Sequence, residues 1–148
     1  MWEVRFRDGK GRGDYITYYA KNTAIPASMN ENIKRWYAGV EYSYSGRDTS
    51  TRVFRVTFWD NQDLEVYKFF LAWYDVMQQG PTNRKVNPIN YMREIELLLN
   101  DSLGSQVGMH MTFVDSYPTE IGDVSLAYAD TGEFTFDVMF SYRRKVIQ

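Results

Sequence analysis

Cysteine is absent from the 148-residue chain, and histidine occurs once, as His110. Without thiols there is no disulfide framework and no thiolate metal site, and one imidazole leaves a transition-metal cluster almost only carboxylates to draw on. No D-x-[DN]-x-[DN]-G calcium loop is present either, so no metal and no other cofactor is expected. A charge excess of one sign is also missing. Seventeen basic and nineteen acidic side chains leave a formal net charge of −2, far from the basic balance of proteins that grip phosphates, which argues against tight DNA binding. The longest mainly apolar run, Phe69 to Tyr74, falls far short of the roughly 20 residues that cross a bilayer. The opening MWEVRFRDGK has no apolar signal block. These absences predict a soluble, unprocessed chain folding in a reducing cytosol as one domain, 1–148, with no internal repeat or low-complexity segment.

Aromatic residues, by contrast, make up 17% of the chain, twelve of them Tyr, which favours strands and large half-buried contacts. One segment reads as a helix, Asp63 to Gln79. Val66, Phe69, Phe70, Trp73, Val76 and Met77 recur at helical spacing, and Glu65, Lys68, Ala72, Asp75 and Gln79 fall opposite. Asn61 or Asp63 is placed to cap its start, and Gly80-Pro81 to stop it. Such a stripe must bury itself on a sheet. Trp2, Val4 and Phe6 alternate with polar residues, and a glycine-rich tip, 8–13, leads to a second strand from Tyr15 that ends at Ile25-Pro26. Residues 27–52 have no core face and read as a long loop or projecting hairpin. Phe54, Val56 and Phe58 alternate next. After the helix come a polar linker to Asn90, a strand with Ile95, Leu97 and Leu99 opposite Glu94 and Glu96, and another through Val107, Met109, Met111 and Phe113 to Tyr117. Residues 118–123 read as a turn, and Val124 to Ala129 as a short strand. Phe134, Phe136, Val138, Phe140 and Tyr142 then give the cleanest period of two.

No convincing active site emerges. Asp130-Thr131-Gly132 matches the aspartyl-protease triplet, yet between two strands it is ordinary turn chemistry without the apolar flanks of a buried catalytic pair. A Ser-His-Asp triad would have to use His110, and no G-x-S-x-G elbow accompanies it. The Gly9 to Gly13 tip joins two strands without opening a helix and lacks the phosphate-loop lysine pattern. Arg143-Arg144-Lys145 reads as a solvated end or a subunit contact.

Taken in order, these segments resemble the tail tube protein family of contractile-tailed bacteriophages. The resemblance rests on Thr23-Ala24-Ile25-Pro26, an excursion carrying Gly39 and Tyr42, the Phe54 to Phe58 strand and the helix with Phe69, Phe70 and Trp73. It continues through Tyr117-Pro118-Thr119-Glu120-Ile121-Gly122-Asp123, Val124 and Leu126, and ends on the alternating strand to Tyr142. It implies a mainly β fold of the α+β kind: a small antiparallel β-barrel or sandwich with one flanking α-helix and a long projecting loop. It also implies a non-enzymatic virion protein of the phage tail, assembled in the host cytoplasm into stacked homohexameric rings, similar to the tubes of type VI secretion. Its partners would be further copies of itself, the sheath, and the baseplate and tail-terminator proteins, with DNA passing the lumen without specific binding. On this reading Glu94, Glu96, Thr135, Asp137 and Ser141 face the lumen. Arg35, Trp36, Tyr37, Tyr42, Tyr44 and Arg47 make contacts between rings or subunits, and Glu65, Lys68, Asp75 and Gln79 face the sheath. The alternatives are a tube-initiating baseplate or tail-terminator protein of the same fold and, from another class, a monomeric β-domain hydrolase using Asp130 or His110.

Overall fold

The computed structural model describes residues 2–7, 20–78, 86–100, 107–126 and 134–148. It is mostly antiparallel β structure with one α-helix, as expected from the alternation of apolar residues. Strands β1 (Trp2–Arg7), β6 (Arg93–Asn100), β7 (Val107–Ile121), β8 (Phe134–Ser141), β5 (Val53–Asp60) and β2 (Ala20–Thr23) lie in that order, and β9 (Arg144–Ile147) pairs with β7. A separate two-stranded hairpin is formed by β3 (Asn30–Tyr37) and β4 (Val40–Asp48), which settles residues 27–52 as a projecting hairpin.

The long strand β7 serves both halves of the sheet. Its first part pairs with β6, Leu97 opposite Met111 and Ile95 opposite Phe113, and with β9, Thr112 opposite Val146. Its last part pairs with β8, Tyr117 opposite Ser141. Between them Asp115 adopts a left-handed backbone, φ 54°, which bends the strand and lets one chain cross from one layer to the other. The partner turns with it, because β8 and β9 follow one another along the same edge of β7 and the Arg143 amide donates to the Val114 carbonyl. Residues 118–121, expected as a turn, are therefore strand. Pro118 is tolerated because β6 ends opposite Ser116, leaving this half of β7 paired with β8 alone. The short strand expected from Val124 is not formed at Val124 to Leu126, and the remainder lies outside the described residues.

The bend folds two inner faces onto one aromatic core. Phe54 stacks on Phe113 across the layers with ring centroids 4.3 Å apart, and Phe6 lies 5.9 Å from Phe58. Into this core the helix α1 (Glu65–Gln78) inserts Val66, Phe70 and Trp73. Phe70 meets Phe6, Phe58 and Phe140 at 5.4, 4.8 and 5.7 Å. Spacings of three and four place these side chains on one stripe narrower than the sequence suggests, and Val76 is exposed. Burying Phe70 and Trp73 contributes about 2–3 kcal/mol each by area. The Trp73 indole donates to the Tyr91 carbonyl at 2.8 Å, so its one polar atom is satisfied.

The helix start is capped from a distance. Neither Asn61 nor Asp63 reaches the helix amides; Asp60, the buried last residue of β5, accepts from the Tyr67 amide at 2.9 Å and the Val66 amide at 3.4 Å. A carboxylate facing orphan N–H groups is favoured by their hydrogen bonds and by the helix dipole. Replacing Asp60 by Ala should cost about 2–3 kcal/mol in urea unfolding, because buried donors lose their acceptor. Asp63→Ala should stay within about 0.5 kcal/mol. Equal losses would show that the cap is local.

Candidate assembly surfaces

The β3–β4 hairpin turns through Ala38 and Gly39, both with positive φ at 50° and 77°, the two-residue geometry whose twist matches that of the strands. Its register sorts the expected contact residues onto two faces. Ile33 opposes Tyr44, Arg35 opposes Tyr42 and Tyr37 opposes Val40 on one face, while Trp36 opposes Glu41 on the other. Arg47 pairs with Glu31 at 3.3 Å beside a register shift. Gly46 is required there, because a Cβ would stand 2.9 Å from the Glu31 carbonyl oxygen and 3.2 Å from Ile33 Cγ1. Both faces are open, with Trp36 72% and Tyr37 75% exposed. A two-stranded ribbon with this much uncovered aromatic surface is marginal alone and suits a surface that another molecule covers.

The five residues assigned to a channel wall do not share one face. Thr135, Asp137 and Ser141 alternate with core residues on β8 and so lie on the outer side of the layer containing β5. Asp137 accepts from the Thr57 hydroxyl at 2.6 Å and stands 3.9 Å from the Arg55 guanidinium. Glu94 and Glu96 lie on the outer side of the other layer, where Glu94 is exposed and Glu96, expected to be solvated, is only 5% exposed. Leu98 beside it is buried as well, so Ile95 and Leu97 are not the only core positions of β6. The Glu96 carboxylate is 3.7 Å from His110 Nε2. This is the setting of the expected polar-face histidine. The depression around it is lined by Glu94, Thr112, Val114, Val146 and Gln148, with no serine among the described residues there to act as a nucleophile. Asp130 lies outside the described residues. Among the described residues no group of three His, Cys, Asp or Glu is placed to hold a metal ion.

On the helix, Glu65, Lys68 and Asp75 are exposed as expected, with Leu71 and Val76 exposed between them; Gln79 lies outside the described residues. No helix among those described is long and apolar enough to cross a membrane.

Sequence reading missed a fourth feature, a cavity of about 470 Å³ at the root of the hairpin. It is bounded by Asp48, Ser50, Arg52 and Tyr142 and by the basic run Arg143 to Lys145. The only signal in the sequence was that run. Ser50 locks the root: its hydroxyl and amide reach Asp48 at 2.5 and 2.9 Å, and it accepts from the Met29 amide at 2.9 Å. The Ser50 hydroxyl first and its amide second, against an opposing desolvation and with smaller help from Arg52 and Lys145, hold the Asp48 carboxyl below the usual carboxylate range. Burial, followed by the Asp48 charge, pushes the Tyr142 phenol up.

The sequence matches the family described as phage tail tube protein over residues 3–148. The chain belongs to that family. Among solved structures, the fold of this tail tube family member is similar to one from the PVC extracellular contractile injection system sheath/tube terminator in the extended state. That match has a TM-score of 0.72 and 13% identity, over 99% of this chain and 92% of that chain. A structure from the anti-feeding prophage baseplate gives 0.70 at 9% identity, over 99% and 91%. Hcp1 from Flavobacterium johnsoniae gives 0.55 at 9% identity, over 99% and 94%. These likenesses establish the shared fold. No curated protein sequence matches.

Because the folded Asp48 carboxyl titrates below its unfolded value, its contribution to the hairpin root is fully present above about pH 4 and is lost as pH falls through the folded value. The protection of the Ser50 amide, taken as its exchange rate relative to the intrinsic rate at each pH, should therefore fall as the pH drops below the usual carboxylate range in the wild type and already be lost at pH 7 in Asp48→Ala. Slow exchange in that variant would show that Asp48 does not hold the root.

Proposed function

We propose that this protein is a non-enzymatic structural subunit of a phage tail, forming six-membered rings that stack into the tube through which the genome leaves. The observation that carries this reading is the match to the tail tube family over residues 3–148. The hairpin supports it, since its aromatic surface is open in the single chain and would be covered by a neighbouring ring or subunit. Glu65, Lys68, Asp75 and Gln79 would look outward to a sheath, and baseplate and terminator proteins would close the two ends. Purified protein imaged by negative stain, with its native mass measured, should give six-fold rings and tubes. Rings that stop after one or two layers would assign an initiating or terminating role, and a monomer would overturn the reading. Replacing residues 31–47 by a short Gly-Ser turn should leave the core melting transition in place, because the hairpin contributes nothing to the core. It should also abolish stacking; normal tubes from this variant would remove the hairpin from the contacts.

For the channel wall we favour the β8 face with Thr135, Asp137 and Ser141. That face stays open around Asp137, with Met139 and the partly exposed Trp59 beside it, whereas the outer face carrying Glu94 also holds the buried Glu96 and Leu98. Asp137 and Glu120 outnumber Arg55 on that face, so six copies per ring would present net negative charge to a passing polyanion and leave it no resting site. Asp137→Lys should still assemble and should retain DNA at low salt, with retention falling steeply as salt rises. An amine reagent too large for the bore should spare that lysine in intact tubes and label the one in Glu94→Lys; the reverse pattern would exchange the faces.

A further inference from the structure

The cavity at the hairpin root is positively charged beyond its internal needs. Arg52 stands 3.7 Å from Asp48, and Arg143 pairs with Asp115 at 3.1 Å. Lys145 donates to the Pro26 carbonyl at 2.8 Å, which orients the ammonium without neutralising it. Arg144 is exposed and has no partner among the described residues. With Arg52 and Lys145 both near Asp48 and Arg143 on Asp115, four cations thus stand against two carboxylates at the mouth of a concave site. Arg52 is also held at φ +56°, a left-handed backbone that glycine adopts freely and arginine does not. Its carbonyl accepts from the Tyr142 amide at 3.0 Å, so the surrounding fold imposes that backbone.

The other end of the same layer carries the opposite charge. β5 and β8 run from Val53 and Ser141 beside the cavity to Asp60 and Phe134, roughly 23 Å away at about 3.3 Å per residue. Asp63 follows the end of β5 there, and Asp123 leaves β7 on the way to that end, just past Gly122, whose amide donates to the Asp137 carbonyl midway along β8. Both carboxylates are exposed and without an ion-pair partner among the described residues. One copy cannot bring its acidic end into its own cavity. A second copy can, head to tail, and such a contact repeats because each addition leaves one cavity and one acidic end open.

We propose that the cavity bounded by Arg52, Arg144 and Lys145 is a carboxylate-binding site that receives the Asp63 and Asp123 end of the next copy along the stack. The proposal rests on the stacked-ring reading and supplies its polarity. Nucleic acid is the less suitable occupant, because phosphate binding uses an extended basic track and here Asp48 and Asp115 flank a compact site.

The test compares wild-type protein with Arg144→Glu/Lys145→Glu, with Asp63→Lys/Asp123→Lys and with the combination of all four, scoring tube length by electron microscopy and folding by circular dichroism. Each double variant should fold and lose tube yield by more than about tenfold, since like charges then meet at the contact. The fourfold variant should regain stacking. Arg52→Gly keeps the test decisive if a reversal fails to fold: removing the left-handed penalty should hold or raise its melting temperature while it stacks poorly. Wild-type stacking in the double reversal or in Arg52→Gly would overturn the proposal, as would a well-folded fourfold variant that does not stack. A wild type that forms no rings would instead overturn the tube reading. Binding of a fluorescent DNA duplex that disappears in Arg144→Glu/Lys145→Glu while stacking persists would assign the cavity to phosphate and likewise overturn it.

Discussion

Everything in this domain depends on a place for Phe70. One helix turn carries that ring into the space between two layers, where Phe6, Phe58 and Phe140 surround it, and those three come from β1, β5 and β8. Strands far apart in the chain therefore converge on a single aromatic side chain. The helix orients by this contact and by the Asp60 carboxylate at its start, while the Trp73 indole, covered by the Arg93 guanidinium 4.6 Å from its centroid, closes the other side. Tight interdigitation of large rings leaves few alternative packings, and this rigidity lets a small core support long exposed elements.

Strong periodicity made much of this legible. Alternation at Phe54, Val56 and Phe58 and from Phe134 to Tyr142 marks strands with one buried face, and the Phe70 and Trp73 spacing marks the helix. The lack of a core face in residues 27–52 likewise marks an element outside the domain. What the sequence hides is long-range. Asp60 caps the helix from a neighbouring strand, so no local capping pattern announces it. Asp115 bends β7 in a backbone conformation usually marked by glycine, and Pro118 sits in a strand because that half of β7 is an edge.

The candidate surfaces divide in the same way. The exposed aromatic hairpin could be read from composition, because uncovered Trp and Tyr have no other use in such a segment. Glu96 could not be read as buried, since period two gives the side of a strand and not what covers it. The split of the five polar positions between two layers was hidden for a related reason: each lies opposite apolar neighbours, and only the pairing of β6 with β7 and of β8 with β5 shows that the two sides point apart. Arg52 and Ser50 belong to the hairpin root only because Met29 and Tyr142 are brought there by tertiary contacts.

The antiparallel run of β9 along β7 has a consequence for timing. Arg144 and Lys145 belong to the last strand, which pairs with residues some thirty positions earlier, while β1 must wait for β6 near residue 95. A chain still emerging from the ribosome can form neither the closed core nor the basic mouth of the cavity. The core therefore closes late, once β8 and β9 have reached β7 and β1 has found β6, and this dependence on non-local pairing slows its folding.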